Sequence, residues 1–405
     1  MVLTIKGKYT TAKLFNDNIE EACVNQIQGM VDSPAFTEPV RIMPDAHFGK
    51  GSCVGFTMPV GNKLVPATIG VDIGCGIYAY KTNMSKKMSE AINWQEVDDR
   101  IRAAIPLGFN SHKDGGLSDE FKALADKLGL EHNKVGASLG TLGGGNHFIE
   151  FAKSSNDGSM WLLIHTGSRN LGAKTCDYHQ KKAIAKLKAD RAFITKEVIM
   201  KAPESSREQV KQSWKSEDLF TLSDDQAFLV KEDKEEYLRD MYVAQKYAHL
   251  NKLTIRDNIC NALGLEVLES IESVHNYIDP SDRVIRKGAI RALEGEKVVI
   301  PFNMRDGSIL AKGKGNPDWN NSAPHGAGRV MSRTQAKKEI DLDTFKGQMT
   351  NVWSSSVGAE TLDEAPDAYK PRAEIEDAIK DCVEVYDYLI PIYNLKDDTP
   401  RRKRK

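Results

Sequence analysis

The sequence has little that would announce a partner or a compartment. Lys and Arg number 56 against 57 Asp and Glu, a formal net charge of -1. No global basic field therefore advertises nucleic acid, and any RNA-binding surface has to be local. There is no CxxC pair; the six cysteines stand scattered at 23, 53, 75, 176, 260 and 382. That excludes the disulfide framework of a small secreted domain and fits a reducing cytoplasm. No run approaches the roughly 18–20 apolar residues of a membrane span. The opening stretch MVLTIKGKYTTAKLF lacks the apolar core of a secretory signal, and no repeat of solenoid period is present. The expectation is a cytoplasmic globular protein with no membrane association, whose 405 residues are ample to bury a core.

What is present divides by texture. Residues 1–180 are glycine-rich, with apolar runs such as LVPATIGVDIGCGIYAY and MWLLIHTGS that read as buried strands entering glycine loops. From about Ala183 to Leu263 the chain turns charged, and Leu238, Met241, Tyr242, Gln245 and His249 recur at helical spacing. Residues 183–263 thus read as a helical insertion or layer within one catalytic domain. Residues 264–330 return to strands and glycine loops; VMSRTQAKKEI then begins a helix, and EIEDAIKDCVEVYDYL predicts another. The basic tail, 397–405, closes on RRKRK and reads as a solvated end of like charge.

Five histidines sit in short polar segments, all but VHN carrying glycine: His47 in MPDAHFGKG, His147 in GTLGGGNHFIE, His165 in IHTGSR, His275 in VHN and His325 in PHGAGR. A single histidine is more often a satisfied core residue than a ligand, but the repeated context shifts that balance. Asp72 and Cys75 add an acid and a thiol three residues apart in GVDIGCG, read here as following an apolar strand. Carboxylate oxygen, thiolate sulfur and neutral imidazole nitrogen are what a divalent metal needs, and these ligand types alone favour zinc. GTLGGGN, HTGSR and HGAGR suit phosphate: flexible backbone turns N–H groups toward an anion, and Arg169 and Arg329 supply guanidinium. Within that group His325 is open to three roles, as nucleophile, general acid or metal ligand.

Together these segments resemble the RtcB family of GTP-dependent RNA-splicing ligases. The landmarks MPDAHFGKG, GVDIGCG, LGTLGGGNHFIE, HTGSR, HN, HGAGRVMSR and AYK run in family order through nearly the whole chain. The resemblance implies an α+β fold, a single catalytic domain over 1–405 with mixed sheets around a central metal cleft. It implies two Mn2+ ions, with Cys75 bridging and Asp72, His147, His165 and His275 completing the ligands. By the same match His325 is the nucleophile toward GTP and Asp45 orients it. Asn146, Glu150, Gly326, Ala327, Gly328, Tyr369 and Lys396 hold the nucleotide, and Arg169 and Arg329 bind phosphate. The implied partners are RNA with 3′-phosphate or 2′,3′-cyclic phosphate ends and RNA with 5′-hydroxyl ends; an activating protein is left open.

The sequence also departs from the family pattern. Many members carry PGSMG where this chain reads PFNMRDG, Pro301 to Gly307, and many carry Cys or Ser where Ala323 stands, before Pro324. On this reading Arg305 replaces a backbone anion contact with a charged one, and nucleotide or RNA-end preference shifts. Two rival chemistries use the same residues: a metal-dependent phosphoesterase, and an end-capping enzyme that stalls before sealing.

Overall fold

In the computed structural model of the chain, the described residues are 2–85, 91–215 and 218–400. The RRKRK end of the tail lies outside them. Among the described residues there are fifteen strands: β1 (Leu3–Lys6), β2 (Thr11–Leu14), β3 (Val40–His47), β4 (Val54–Pro59), β5 (Gly76–Thr82), β6 (Phe148–Ser154), β7 (Met160–Thr166), β8 (Val267–Val274), β9 (Asn276–Ile278), β10 (Val284–Lys287), β11 (Ala289–Arg291), β12 (Lys297–Asn303), β13 (Gly307–Gly313), β14 (Ser322–Pro324) and β15 (Val383–Leu395). A six-stranded sheet runs β1-β2-β3-β4-β10-β9, and β2 pairs with β3 in parallel. A seven-stranded sheet runs β12-β13-β15-β6-β7-β5-β8, while β11 and β14 form a pair. The sequence led us to expect mixed sheets; the smaller sheet is mixed, and the larger is antiparallel throughout.

The larger sheet curls until its end strands meet, where the Val299 amide of β12 donates to the Ser273 hydroxyl of β8 at 2.9 Å. Successive strand residues point to opposite faces, and the burial follows that period. Ile77, Ala79, Ala152, Leu163, Ile271 and Leu310 pack together on the inner face. Tyr78, Tyr80, Phe151, Leu162 and Ile164 pack outward against Ile255, Ile259 and Ile101 of flanking helices. Continuing the inward parity to the strand ends brings Cys75, Glu150, His165 and His275 onto one side. The apolar interior thus changes to a polar floor without a change of strand.

Strand β15 needs an irregularity to do the same. Leu389 packs inward, but the register with β6 shifts between Pro391 and Tyr393, and Tyr393 and Leu395 pack outward. A bulge of this kind re-aims the residues beyond it; here it turns Asn394 and Lys396 toward the interior, with Asn394 opposite Glu150.

Two long helices, Arg169–Ile194 and the 33-residue Lys231–Leu263, pack on each other. The second buries Leu238, Met241, Ala244, Ala248, Ile255 and Ile259 along one stripe and ends at Gly264 in the left-handed conformation, φ 67°. Helical structure begins at Arg169, well before the Ala183 of the sequence reading. Near the C-terminus the predicted helix is present over Arg372–Ala378, but VEVYDYL opens the 13-residue β15. Its alternating β-branched and aromatic residues suit a half-buried pleated strand better than a helix. Likewise LVPAT is no strand: Pro66–Thr68 makes one 3-10 turn, and Asp72 and Cys75 precede β5.

Leu163 is fully buried in the inner-face cluster. Leu163→Ala should destabilise the fold by about 2–5 kcal/mol, read as a lowered denaturant midpoint at unchanged slope. An unchanged midpoint would mean that the inner face is not packed as described.

Candidate functional site

Metal-ligand chemistry gathers where β5, β7 and β8 end. Cys75 Sγ lies 3.5 Å from His147 Nε2 and 3.3 Å from His165 Nε2. His165 Nε2 faces His275 Nε2 at 3.3 Å, and His147 Nε2 faces Asp72 Oδ2 at 3.0 Å. Two sets of ligand atoms result, Cys75–His165–His275 and Asp72–Cys75–His147, with the thiol common to both.

The backbone fixes which nitrogens face inward. A carbonyl oxygen can only accept, so the Nδ1–H groups of His147 and His165 donate to Leu142 O at 2.9 Å and Asn146 O at 3.1 Å. In the neutral ring that leaves each Nε2 as a bare lone pair. Burial holds His165 and His275 well below the usual histidine range, which keeps those rings neutral. The bare Nε2 of His147 faces the Asp72 carboxyl and that of His165 faces the Cys75 sulfur and His275 Nε2, an acceptor-rich arrangement that a cation satisfies. Burial and the neighbouring Asp72 push the Cys75 thiol well up, so a bound cation is what would make it a thiolate. Burial also opposes ionisation of Asp72; a proton on His147 Nε2 outweighs it and holds that carboxyl well below the usual range, and a cation between the two would do the same with the ring neutral. The residues fit a pair of divalent ions sharing one sulfur. Gly167 makes room for this: a Cβ there would lie 2.1 Å from Asp72 Oδ1.

His325 stands beside the cluster, its ring centroid 4.8 Å from that of His275. Its Nδ1 donates to Asp45 Oδ2 at 2.6 Å, and Asp45 is fully buried. The acceptor carboxylate fixes the tautomer, so Nε2 carries the free lone pair. Gly328 permits the approach, at φ +70°, since a Cβ there would lie 2.3 Å from the Asp45 carbonyl oxygen. Among the described residues His325 belongs to neither ligand set, and its Nδ1 is taken by Asp45.

Next to both lies a cleft of about 350 Å³, within the roughly 300–1,000 Å³ of small-molecule sites. Its wall brings together Asn146, Glu150, His325, Gly326, Ala327, Gly328, Arg329, Tyr369 and Lys396. Arg329 stacks over Tyr369, guanidinium carbon to ring centroid 5.0 Å. Burial pushes the Glu150 carboxyl up to about 8. Its Oε2 accepts from Asn394 Nδ2 at 2.8 Å, while Oε1 is buried with no partner.

Two expectations fall outside this wall. Arg169 is not among the cleft residues; it donates to Gly108 O at 2.9 Å and to the Thr141 hydroxyl at 3.2 Å, bracing the glycine loop that carries His147. Arg305 is exposed in the β12–β13 turn and pairs with Asp306 at 2.8 Å, so it supplies no anion contact in the cleft. The PFNMRDG departure acts through packing instead: Met304 plugs a cluster with Phe345, Met349, Val352 and Ala365, and Asn303 faces the cleft.

Sequence reasoning missed three groups. Glu364 is buried and accepts from Lys396 at 2.9 Å, Arg333 at 2.8 Å and Tyr369 at 2.8 Å. Burial opposes its ionisation, but Lys396, Arg333 and Arg329 bring it down to about 2. Asn394 was hidden because its inward direction depends on the β15 bulge. Lys252 is fully buried and donates to Gly74 O at 2.8 Å and Thr166 O at 3.2 Å, tying together the loops that carry Cys75 and Gly167. A lysine on the apolar stripe between Ala248 and Ile255 was the signal that could have found it.

The comparisons with known proteins agree with one another. A family model described as tRNA-splicing ligase RtcB matches residues 26–133 and 130–397. The RNA-splicing ligase RtcB of Escherichia coli K12 is 30% identical over 407 residues, covering 91% of this chain and 92% of that one. The tRNA-splicing ligase RtcB of Methanococcus maripaludis is 26% identical, covering 94% and 92%. A family match over nearly the whole length, on a fold whose cleft carries this ligand cluster, shows that the chain belongs to the RtcB family.

Proposed function

We propose that the chain is an RNA ligase that joins RNA 3′-phosphate or 2′,3′-cyclic phosphate ends to 5′-hydroxyl ends through a histidine–GMP intermediate. The observation that carries this reading is the Asp45–His325 bond of 2.6 Å beside the shared-thiol cluster. A phosphoesterase would use the same dyad as a general acid or base toward water at its metals, so a covalent nucleotidyl-histidine is what separates the two readings.

The steps follow from the residues. His325 Nε2 attacks the α-phosphorus of GTP, a P–N bond forms and pyrophosphate leaves. An oxygen of the RNA 3′-phosphate then takes the GMP, the P–N bond breaks and the imidazole is restored. The 5′-hydroxyl attacks the activated phosphorus, GMP departs and the hydroxyl proton is lost. Asp45 holds the ring through both transfers, and Arg329 and the backbone of Gly326–Gly328 hold phosphate oxygens. Tyr369 and Lys396 hold the nucleotide, Asn146 contacts it from the glycine loop, and Glu150 accepts from donor groups of the base. Two Mn2+ ions held by Asp72, Cys75, His147, His165 and His275 would neutralise charge on the phosphoryl oxygens. A cyclic phosphate would first be opened to the 3′-phosphate.

His325→Ala should abolish transfer of α-labelled GTP to the protein while metal content stays as in the wild type. Denaturing electrophoresis and metal analysis read both, and undiminished acid-labile label would place the nucleophile elsewhere. Cys75→Ala should lose most bound manganese and the labelling with it; full manganese content in that variant would sink the shared-ligand assignment.

Guanine N–H donors favour the Glu150 carboxylate, so nucleotide binding should lower a carboxyl that burial holds at about 8. The sign is then fixed: binding is strongest above about 8 and weakens on acidification, by at most about tenfold per pH unit. Calorimetry of GTP binding in the His325→Ala background, from pH 6 to 9, checks this. Glu150→Gln should flatten the profile, and a flat profile with Glu150 present would remove that residue from the base contact.

A further inference from the structure

Apolar surface is left uncovered around the mouth of the cleft. Phe48 is 56% exposed, Val71 56% and Val330 50%. Each adjoins in sequence a residue of the cleft wall, respectively His47, Asp72 and Arg329. Single exposed apolar side chains are ordinary on protein surfaces. Three of them, each next to a wall residue of one cleft, form a collar.

The Phe48 part of that collar is braced. The Phe48 amide donates to Glu20 Oε1 at 2.7 Å, and the Gln26 side chain bonds both the amide and the carbonyl of Gly49. The buried ammonium of Lys287 donates to the carbonyls of Lys50 and Ser52. Five backbone groups are thus tied to the protein body while the Phe48 ring and the Lys50 side chain stay exposed. Among the described residues Lys50 has no ion-pair partner, whereas many other surface lysines do. A flat ring with a free cation two residues on matches the alternation of base and phosphate along a single strand. It has no such match in an apolar protein patch, which would leave Lys50 without an anion.

We propose that Phe48 and Lys50 form a shelf at the cleft mouth that receives the nucleotide beside the reacting RNA end, Phe48 stacking on its base and Lys50 pairing with its phosphate. The shelf rests on RNA being the substrate. It adds a place where the strand is gripped outside the cleft, before its terminal phosphate reaches His325.

The test uses the full chain, a fluorescent single-stranded RNA with a 3′-phosphate, and the same RNA with its last two bases removed. Binding is read by anisotropy. Phe48→Ala should weaken binding of the intact RNA by about 5- to 150-fold and should no longer distinguish it from the abasic RNA. Phe48→Trp should keep the distinction, and Phe48→Leu, apolar but not flat, should lose it. Lys50→Ala should reduce the slope of log affinity against log salt by about 0.7. Wild-type discrimination in Phe48→Ala or Phe48→Leu would overturn the shelf and leave the ligase reading intact. Failure of the wild-type chain to bind any RNA would overturn both. A mass that doubles with concentration through Phe48, with RNA binding unchanged by Phe48→Ala, would assign the collar to a second copy and overturn the shelf.

Discussion

Lone pairs that face one another in a dry interior are the constraint around which this site is built. The backbone aims the Nε2 atoms of His147 and His165 at the shared sulfur, and His275 brings a third ring nitrogen against His165. The carbonyls of Leu142 and Asn146 take the Nδ1 protons of two rings and so aim their other nitrogens at Cys75. Holding those carbonyls still requires the glycine loop, and the loop in turn is braced by Arg169 through Thr141 and Gly108. Lys252 ties the neighbouring loops from below. Residues remote from any substrate are thereby committed to the tautomers of the site.

His325 obeys the same rule with a different acceptor. Its proton goes to a buried carboxylate rather than to a carbonyl, which fixes the tautomer in the same way. The ligand imidazoles and the proposed nucleophile thus share one chemistry and are separated by what stands behind them. Around them the cleft carries both signs of charge, with Glu364 taking up Lys396 and Arg333. A nucleotide entering there meets cations already oriented by an acid, and little has to reorganise when its phosphates arrive.

Much of this was legible in the sequence, for physical reasons. Asp72, Cys75, His147, His165 and His325 stand in glycine-bearing segments that no packing argument explains, and the structure gathers them with His275. The apolar stripe of Leu238 and Met241 marked the long helix because its period is set by helix geometry alone. What the sequence concealed depends on events distant in the chain. Glu364 is isolated until the fold brings Lys396, Arg333 and Tyr369 to it. VEVYDYL followed a true helix closely enough to be read as its continuation, although its period is two. Arg169 and Arg305 looked alike as phosphate binders because guanidinium recognises carbonyls and carboxylates as readily as phosphate, and only position distinguishes these uses.

The irregularity in β15 divides that strand into two reading frames. Running β15 through that point in regular alternation, with no residue lost, would carry Tyr393 and Leu395 into the cleft and press Asn394 and Lys396 against the outer helices. Every side chain would be retained, yet the nucleotide end of the cleft would exchange an amide and an ammonium for a phenol and an alkyl group. The polarity of that wall therefore depends on β15 carrying one residue more than β6 across this point, and not on the identity of its side chains alone.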